Sequence, residues 1–575
     1  MQKQTFYTFL FILMFTAFSF AQDRKTDTID AQSVNVVKPY TPTISDAFKI
    51  KEIPILNEDD NLKKQVVKYN IFSIPVASTF TPAKGKAAEV DKQKQQKLYD
   101  NYASLGVGSY TSILGELYIN HELIRGENVG GSFSHHSSQG GIDDVLLDDS
   151  FSKTGLSAYF SKALRDYDWK VETAYERNTF NWYGLPQPFF NEANSGGIDP
   201  AHTFNNLSVN GTLNFSDAVV NSASVLFRRF SDDRGSAENR FVAKSGFDIP
   251  ISGESIASEL KIYFLKGGFD NDFFGSQELK YGNVNVGLKS AYQLEQDDLT
   301  VDLGANLVYL NDTEGGKNKF YIYPNIMASY RLVSDVVIAY ASITGDLVQN
   351  TYSDFSDANP FVSPTLNIAP TDQTYNASIG MKGKLSNAVS YNVNGSYLDE
   401  KVKPLFKANS VVTGATQDYQ NGNSFGIIYD DVRTFSVLGQ LSFDINRNIN
   451  LIMQGEYFSY KLTTQAEAWN LPDLKASAIL NAQIDENWFA GASLFFTGER
   501  KDEFRVDGTL LPMEPVTVTL DSFLDANLHV GYRINQQLSV FGKVNNIFNN
   551  DYQNWSNFPV QGIQVLGGAT YQFDF

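Results

Sequence analysis

Two adjacent histidines, His135 and His136, are the most obvious residues that could hold a metal. Neighbours on a strand point to opposite faces, so the pair cannot converge on one ion without a break there. Acidic clusters at Asp143-Asp144 with Asp148-Asp149, at Asp232-Asp233, and at Asp354 with Asp357 offer oxygen ligands of the kind calcium takes. None has the ligand spacing of a known calcium loop, and solvated external loops account for them more simply. Trp182, Tyr183, Phe189 and Phe190 crowd one stretch with Pro186 and Pro188. Such rings are candidate ligand contacts, for a carbohydrate among others; they equally suit the cap of a barrel mouth or an interfacial girdle. Serines are abundant, but no nucleophile elbow or Gly-rich phosphate loop stands in a suitable context. Cysteine is absent, which removes disulfides, thiolate metal sites and lipid-modified cysteine. No catalytic, cofactor-binding or metal-binding residue is assigned, and the chain is read as a non-enzyme.

The elements that would position these residues follow from composition and period. The chain has 575 residues, a net charge of −19 and 14% aromatics, with 43 Phe and 30 Tyr. The acidic balance argues against nucleic acid as a partner. Mean hydropathy is −0.26, a value a soluble protein shares with a membrane barrel whose lumen is polar. Lys3, the apolar run from Phe6 to Phe18 and the small residues of Ser19-Phe20-Ala21 read as a cleaved signal peptide over 1–21. At roughly 14 residues the run is shorter than the ~20 a spanning helix needs. No later stretch resembles a spanning helix, so a membrane-embedded mature chain must be a closed barrel.

Residues 22–100 carry Pro39, Pro42, Pro54, Pro75 and Pro82, and read as an extended segment with one short helix over Glu89 to Leu98. Beyond Tyr102 the texture is constant. Leu299, Val301, Leu303, Ala305, Leu307 and Tyr309 share one face, while Thr300, Asp302, Gly304 and Asn306 take the other. Val284, Val286 and Leu288 oppose Asn283, Asn285 and Lys289 in the same way. A soluble sandwich has this alternation too, but it closes after roughly 100 residues, whereas the pattern here runs for about 470. Tight polar turns recur near Arg125-Gly126, Asp166, Ser216-Asp217, Ser252-Gly253, Gln296-Asp297, Ser334-Asp335, Ser386-Asn387, Asn446-Arg447, Asp485-Glu486 and Asn535-Gln536. About ten periplasmic turns give an antiparallel transmembrane β-barrel of about 22 strands over 101–575, all-β in class. Long external loops are expected near 138–148, 183–201, 231–236, 270–276, 311–318, 346–371, 404–423, 464–468, 500–515 and 551–561.

The end of the chain carries a resemblance. Phe575, Phe573 and Tyr571 share one face of a last strand, like the signal read by the outer-membrane barrel-assembly machinery. Val544-Asn545-Asn546-Ile547-Phe548-Asn549 followed by Tyr552 resembles the V-x-N-L-F-N…Y segment near the end of TonB-dependent receptor barrels. Phe523-Leu524-Asp525-Ala526-Asn527-Leu528 is similar to a strand start of that family. The resemblance implies an outer-membrane barrel embedded in lipid and a transporter or receptor for a nutrient. Val34-Asn35-Val36-Val37 resembles a TonB box, the segment that pairs with TonB; an ordinary extended segment is the other reading. A full-length plug pattern is not found in 22–100, which is expected to serve as a reduced plug. The alternative is a passive or structural barrel that docks another envelope protein.

Overall fold

The computed structural model describes residues 97–187, 189–216, 218–251, 254–508 and 514–575. The signal segment, Val34 to Val37, most of the helix expected over Glu89 to Leu98, and the turn residues Asp217, Ser252 and Gly253 lie outside the described residues.

Twenty-two strands form one antiparallel sheet. Its first strand, Asn101–Gly108, pairs with its last, Gln564–Phe573, so the sheet closes on itself. Among the described residues the expected tight turns fall between consecutive strands, as between Ser112–Ile124 and Glu127–Ser138, or between Phe425–Asn446 and Ile449–Leu462. The strand count matches the expectation. One outer hairpin was not expected: Ser109–Thr111, joining the first two strands. It contains no glycine or asparagine, yet Tyr110 and Thr111 have φ of 55° and 51°. The Tyr110 ring lies against Gly141, where a Cβ would come within 2.0 Å of it, and the Tyr110 hydroxyl donates to Ile563 O at 3.2 Å. Long-range packing thus fixes a turn that local residue preference does not mark.

The loop expected at 404–423 begins later, because the strand Val389–Ala408 runs on through Pro404. Its pairing with the preceding strand ends at Lys401 opposite Asp372. Pro404 therefore sits where one side of the strand has no neighbour in the sheet, and its missing N–H costs no ladder bond.

The period-two alternation sorts the side chains as expected. Leu288 is 42% exposed on the outer face, beside Val286 and across from Leu307. Asn285 is 7% exposed on the lumen face. Among the described residues no helix is long and apolar enough to cross a membrane; the closed sheet, apolar outside and polar inside, is the architecture that can span one. An outer-face cation at mid-strand should be expensive. Leu288→Arg is expected to lower folding stability by about 2–4 kcal/mol, and lumen-facing Lys289→Gln by well under ~1 kcal/mol. Urea titration of the protein in lipid vesicles reads the difference.

Candidate ligand chamber at the external mouth

The buried apolar residues do not fill the barrel's middle. They gather at its external end, where loops turn inward onto the lumen face. The helix Tyr352–Ala358, in the loop 349–370, is one such element, with Tyr352, Ser353, Phe355 and Ser356 buried. Its N-cap is Thr351, whose hydroxyl accepts from Asp354 N at 3.0 Å. Tyr352 donates its backbone N–H to Glu238 Oε2 and its hydroxyl to Asp232 Oδ2, both at 2.8 Å. Tyr281 donates to the same Glu238 oxygen at 2.8 Å. Arg228 and Arg240 stand directly opposite each other on the lumen face. The helix offsets their repulsion: Asp354 lies 3.3 Å from Arg240, and Ser353 Oγ accepts from Arg228 at 3.2 Å.

Aromatic rings then join this loop to two others. Phe361 stacks on Phe558 with centroids 3.9 Å apart, and Tyr183 meets Phe558 edge-on at 4.9 Å. Tyr183 donates its hydroxyl to Pro559 O at 2.8 Å, and burial raises the pKa of its phenol. Gly184 is required here, since a Cβ would lie 2.4 Å from the Phe558 ring.

Below these rings is a cavity of about 680 Å³, lined by Lys153, Phe180, Tyr183, Phe361, Lys475, Arg500 and Trp555 among others. That size suits a drug-sized molecule. Lys153 holds its ammonium 5.3 Å from the Phe180 ring centroid. Neither Lys153 nor Lys475 has a carboxylate partner among the described residues. Arg500 is already engaged: its guanidinium donates to Asn554 O and Gln553 O and lies over the Phe523 ring at 5.3 Å, and burial lowers its pKa. It positions the loop 546–563 and the two lysines are left to meet a ligand. An anionic molecule with apolar or ring surface is what such walls recognise.

Of the aromatic residues singled out in the sequence, Tyr183 lines this cavity. Trp182 is fully buried, stacked on His202 at 4.1 Å and meeting Tyr419 edge-on. Phe189 packs on Phe504 at 5.2 Å, away from the cavity, and Phe190 is half-buried. His135 and His136 do point to opposite faces: His135 bonds Thr154 and Ser137, and His136 meets Phe151 edge-on. Members of two of the acidic clusters accept loop N–H groups. Asp149 accepts from Ile142 N at 2.8 Å, and Asp232 accepts from Arg234 N and Ser236 N. Lys153 and Lys475 escaped sequence reasoning, because single lysines near the starts of two distant strands give no local signal.

The C-terminal motif residues build the last loop. Asn546 has φ 48° and donates from Nδ2 to Asn550 O and Gln561 O, both at 3.0 Å. Asn549, at φ 51°, accepts from Ile563 N at 2.7 Å. Tyr552 stacks on Phe523 at 3.9 Å and donates to Asp525 Oδ2 at 3.3 Å. Phe548 is half exposed, and Val544 pairs with Leu528 and Val565 on the outer face. Tyr571, Phe573 and Phe575 form a ladder of rings, with centroids 5.8 and 5.5 Å apart.

One buried carboxylate governs the collar's response to pH. Asp502, fully buried in the external strand Arg500–Phe504, accepts from Ala408 N, Glu503 N and Asn470 Nδ2 at 2.8–2.9 Å. Burial outweighs these bonds and pushes its pKa up to about 6. A raised carboxylate stabilises the fold fully below the ordinary Asp range, and that stability is lost as pH rises through about 6. The loss is on the order of 3 kcal/mol. Hydrogen exchange at Ala408 and Glu503, corrected for intrinsic rates, should show protection falling between pH 4 and pH 6. Asp502→Asn should flatten that dependence.

No family model matches the chain, and no curated protein matches it. Solved structures do. The ferric-catecholate import receptor Fiu of E. coli K12 superposes with a TM-score of 0.60 at 12% identity, covering 83% of this chain and 82% of its own. The pyoverdine outer membrane receptor FpvA of Pseudomonas aeruginosa PAO1 gives 0.60 at 13%, covering 84% and 80%. The siderophore receptor PiuA of Acinetobacter baumannii gives 0.58 at 9%, covering 83% and 82%. The likeness is one of fold: this closed barrel resembles that of the TonB-dependent receptors.

Proposed function

We propose that the chain is an outer-membrane receptor that captures an anionic, ring-bearing solute at its external mouth and passes it inward. The cavity carries this reading, because two lysines without carboxylate partners face aromatic walls inside a collar of folded loops. A ferric catecholate, the cargo of the similar receptor Fiu, has that chemistry. We assign export to the signal peptide 1–21, energy coupling through TonB to Val34–Val37, and lumen obstruction to 22–100, each from its residues alone.

A ferric catecholate is the probe. Quenching of Trp fluorescence in the purified protein is expected to report its binding, and Lys153→Gln with Lys475→Gln should weaken it about 10- to 100-fold, the worth of one or two charge-assisted bonds. Cellular uptake of the same probe should stop when TonB is deleted. Removing 22–100 should raise single-channel conductance; an unchanged conductance would remove the plug assignment. A second reading is a structural barrel that docks another envelope protein. The strapped loops and the exposed Phe274 at their surface favour it. A stable co-purifying partner, with no probe bound and no uptake, would decide for that reading.

A further inference from the structure

Lipid-facing cations are costly at the bilayer midplane and nearly neutral at its interfaces, so their placement reports on the headgroups beside them. Consider the outward faces of the strands Tyr167–Asn181, Ala201–Phe215, Val220–Asp232, Ala237–Ile251, Glu254–Phe269 and Leu279–Gln296. Their Lys and Arg residues there are Arg177, Arg229, Lys266 and Lys280, all exposed. Register settles the facing. Arg229 lies opposite Asn239, and Asn239 opposite Lys266. Two residues further toward the periplasm, in the same face, come the exposed Phe227, Phe241 and Phe264. Lys170, Arg228, Arg240, Lys244, Lys261 and Lys289 alternate to the lumen.

All four outward cations stand within a few residues of the external strand ends, and the periplasmic half of these faces holds none. Lys280 pairs with the exposed Glu278 at 2.8 Å; the other three have no carboxylate partner among the described residues. Elsewhere on the barrel, Lys162 is matched by Glu127 and Arg433 by Asp399, while Lys461 opposite Arg433 has no carboxylate partner among the described residues and stands outside the sector. Asparagines add donors to the patch. Asn239 accepts from Arg229 at 3.1 Å, and Asn205 accepts from the Tyr175 hydroxyl at 2.8 Å, which leaves both amide N–H₂ groups to donate. Neighbouring strands are ~4.8 Å apart, so Arg229 and Lys266 stand roughly 10 Å apart and the patch spans roughly 25 Å.

We propose that this sector binds the headgroup of an outer-leaflet glycolipid carrying more than one phosphate. The apolar stripe beneath takes its acyl chains, and Arg177, Arg229, Lys266 and Lys280 take its phosphates. The inference is independent of what the mouth captures.

The test uses the full-length protein purified in detergent, with thermal unfolding followed against added lipid. Diphosphoryl lipid A is expected to raise the unfolding midpoint by several degrees. The same lipid stripped of both phosphates, and inorganic phosphate at equal concentration, should not. Replacing Arg177, Arg229, Lys266 and Lys280 together by Gln should weaken the lipid response at least tenfold, with heat-modifiable gel mobility retained. Arg433→Gln with Lys461→Gln, outside the sector, should leave it intact. Equal stabilisation by the dephosphorylated lipid would reduce the sector to an acyl contact and overturn the proposal. An equal response to inorganic phosphate would mark a free-anion site and overturn it too, as would full affinity in the fourfold variant. Should that variant fail to fold, the comparison of lipids on the unaltered protein still decides.

Discussion

In hydrocarbon every backbone N–H and C=O must find its partner within the protein, and a sheet meets that demand only by having no edge. Here the demand is met by one seam, where Asn101 faces Phe573 and Gly108 faces Leu566. The seam brings the ends of the barrel together. Asn101 donates its side-chain amide to Phe573 O at 3.0 Å, Asp100 N donates to Asp574, and Lys97 pairs with Asp574 at 2.9 Å. Once the sheet is closed, each strand has one lipid side and one lumen side. The alternation in the sequence then has a single consistent meaning over the whole circumference.

That consistency explains what could be read from the sequence. The tight turns and the strand faces are local properties, set by two or three residues and by a period of two. The strand count followed from them. The hairpin at Tyr110 was missed for the opposite reason. Its conformation is held by Gly141 and by Ile563, which are remote in sequence. The collar was missed likewise. The long loops were legible as loops, but nothing near Tyr352 shows that its hydroxyl meets Asp232 or that its N–H meets Glu238. These partners lie more than a hundred positions away, and aperiodic loops carry no pattern that would pair them. Of the chamber, Tyr183 stood out beforehand as a ring among rings and Asp149 as one of a loop's acids; the two lysines did not.

The C-terminal asparagines show how a family pattern becomes physics. A short polar side chain tolerates positive φ and can hydrogen-bond nearby backbone, so asparagine suits sharp loop corners. Asn546 and Asn549 occupy two such corners, and their side chains tie the last external loop to itself and to the start of the final strand. Asp525, from the upstream motif, receives Tyr552 from the downstream one. The two motifs are thus halves of one corner beside the closing seam.

The acidic residues of the loops take on a different meaning in the folded mouth. By its net charge of −19 alone, the chain would spread its carboxylates into water. Several are instead spent inward. Asp430 accepts from Thr464 N, Thr464 Oγ1 and Gln465 N, anchoring the loop 463–473. Glu238 and Asp232 hold the inward helix, and Asp502 ties two loops and a strand end. A carboxylate that accepts several N–H groups fixes loop backbone far more firmly than a surface ion pair fixes two side chains. With the carboxylates bound to backbone, the lysines that line the cavity keep their charge available for a ligand. The rigidity of the mouth and the unpaired state of those lysines therefore share one physical basis, the engagement of acids in holding the loops.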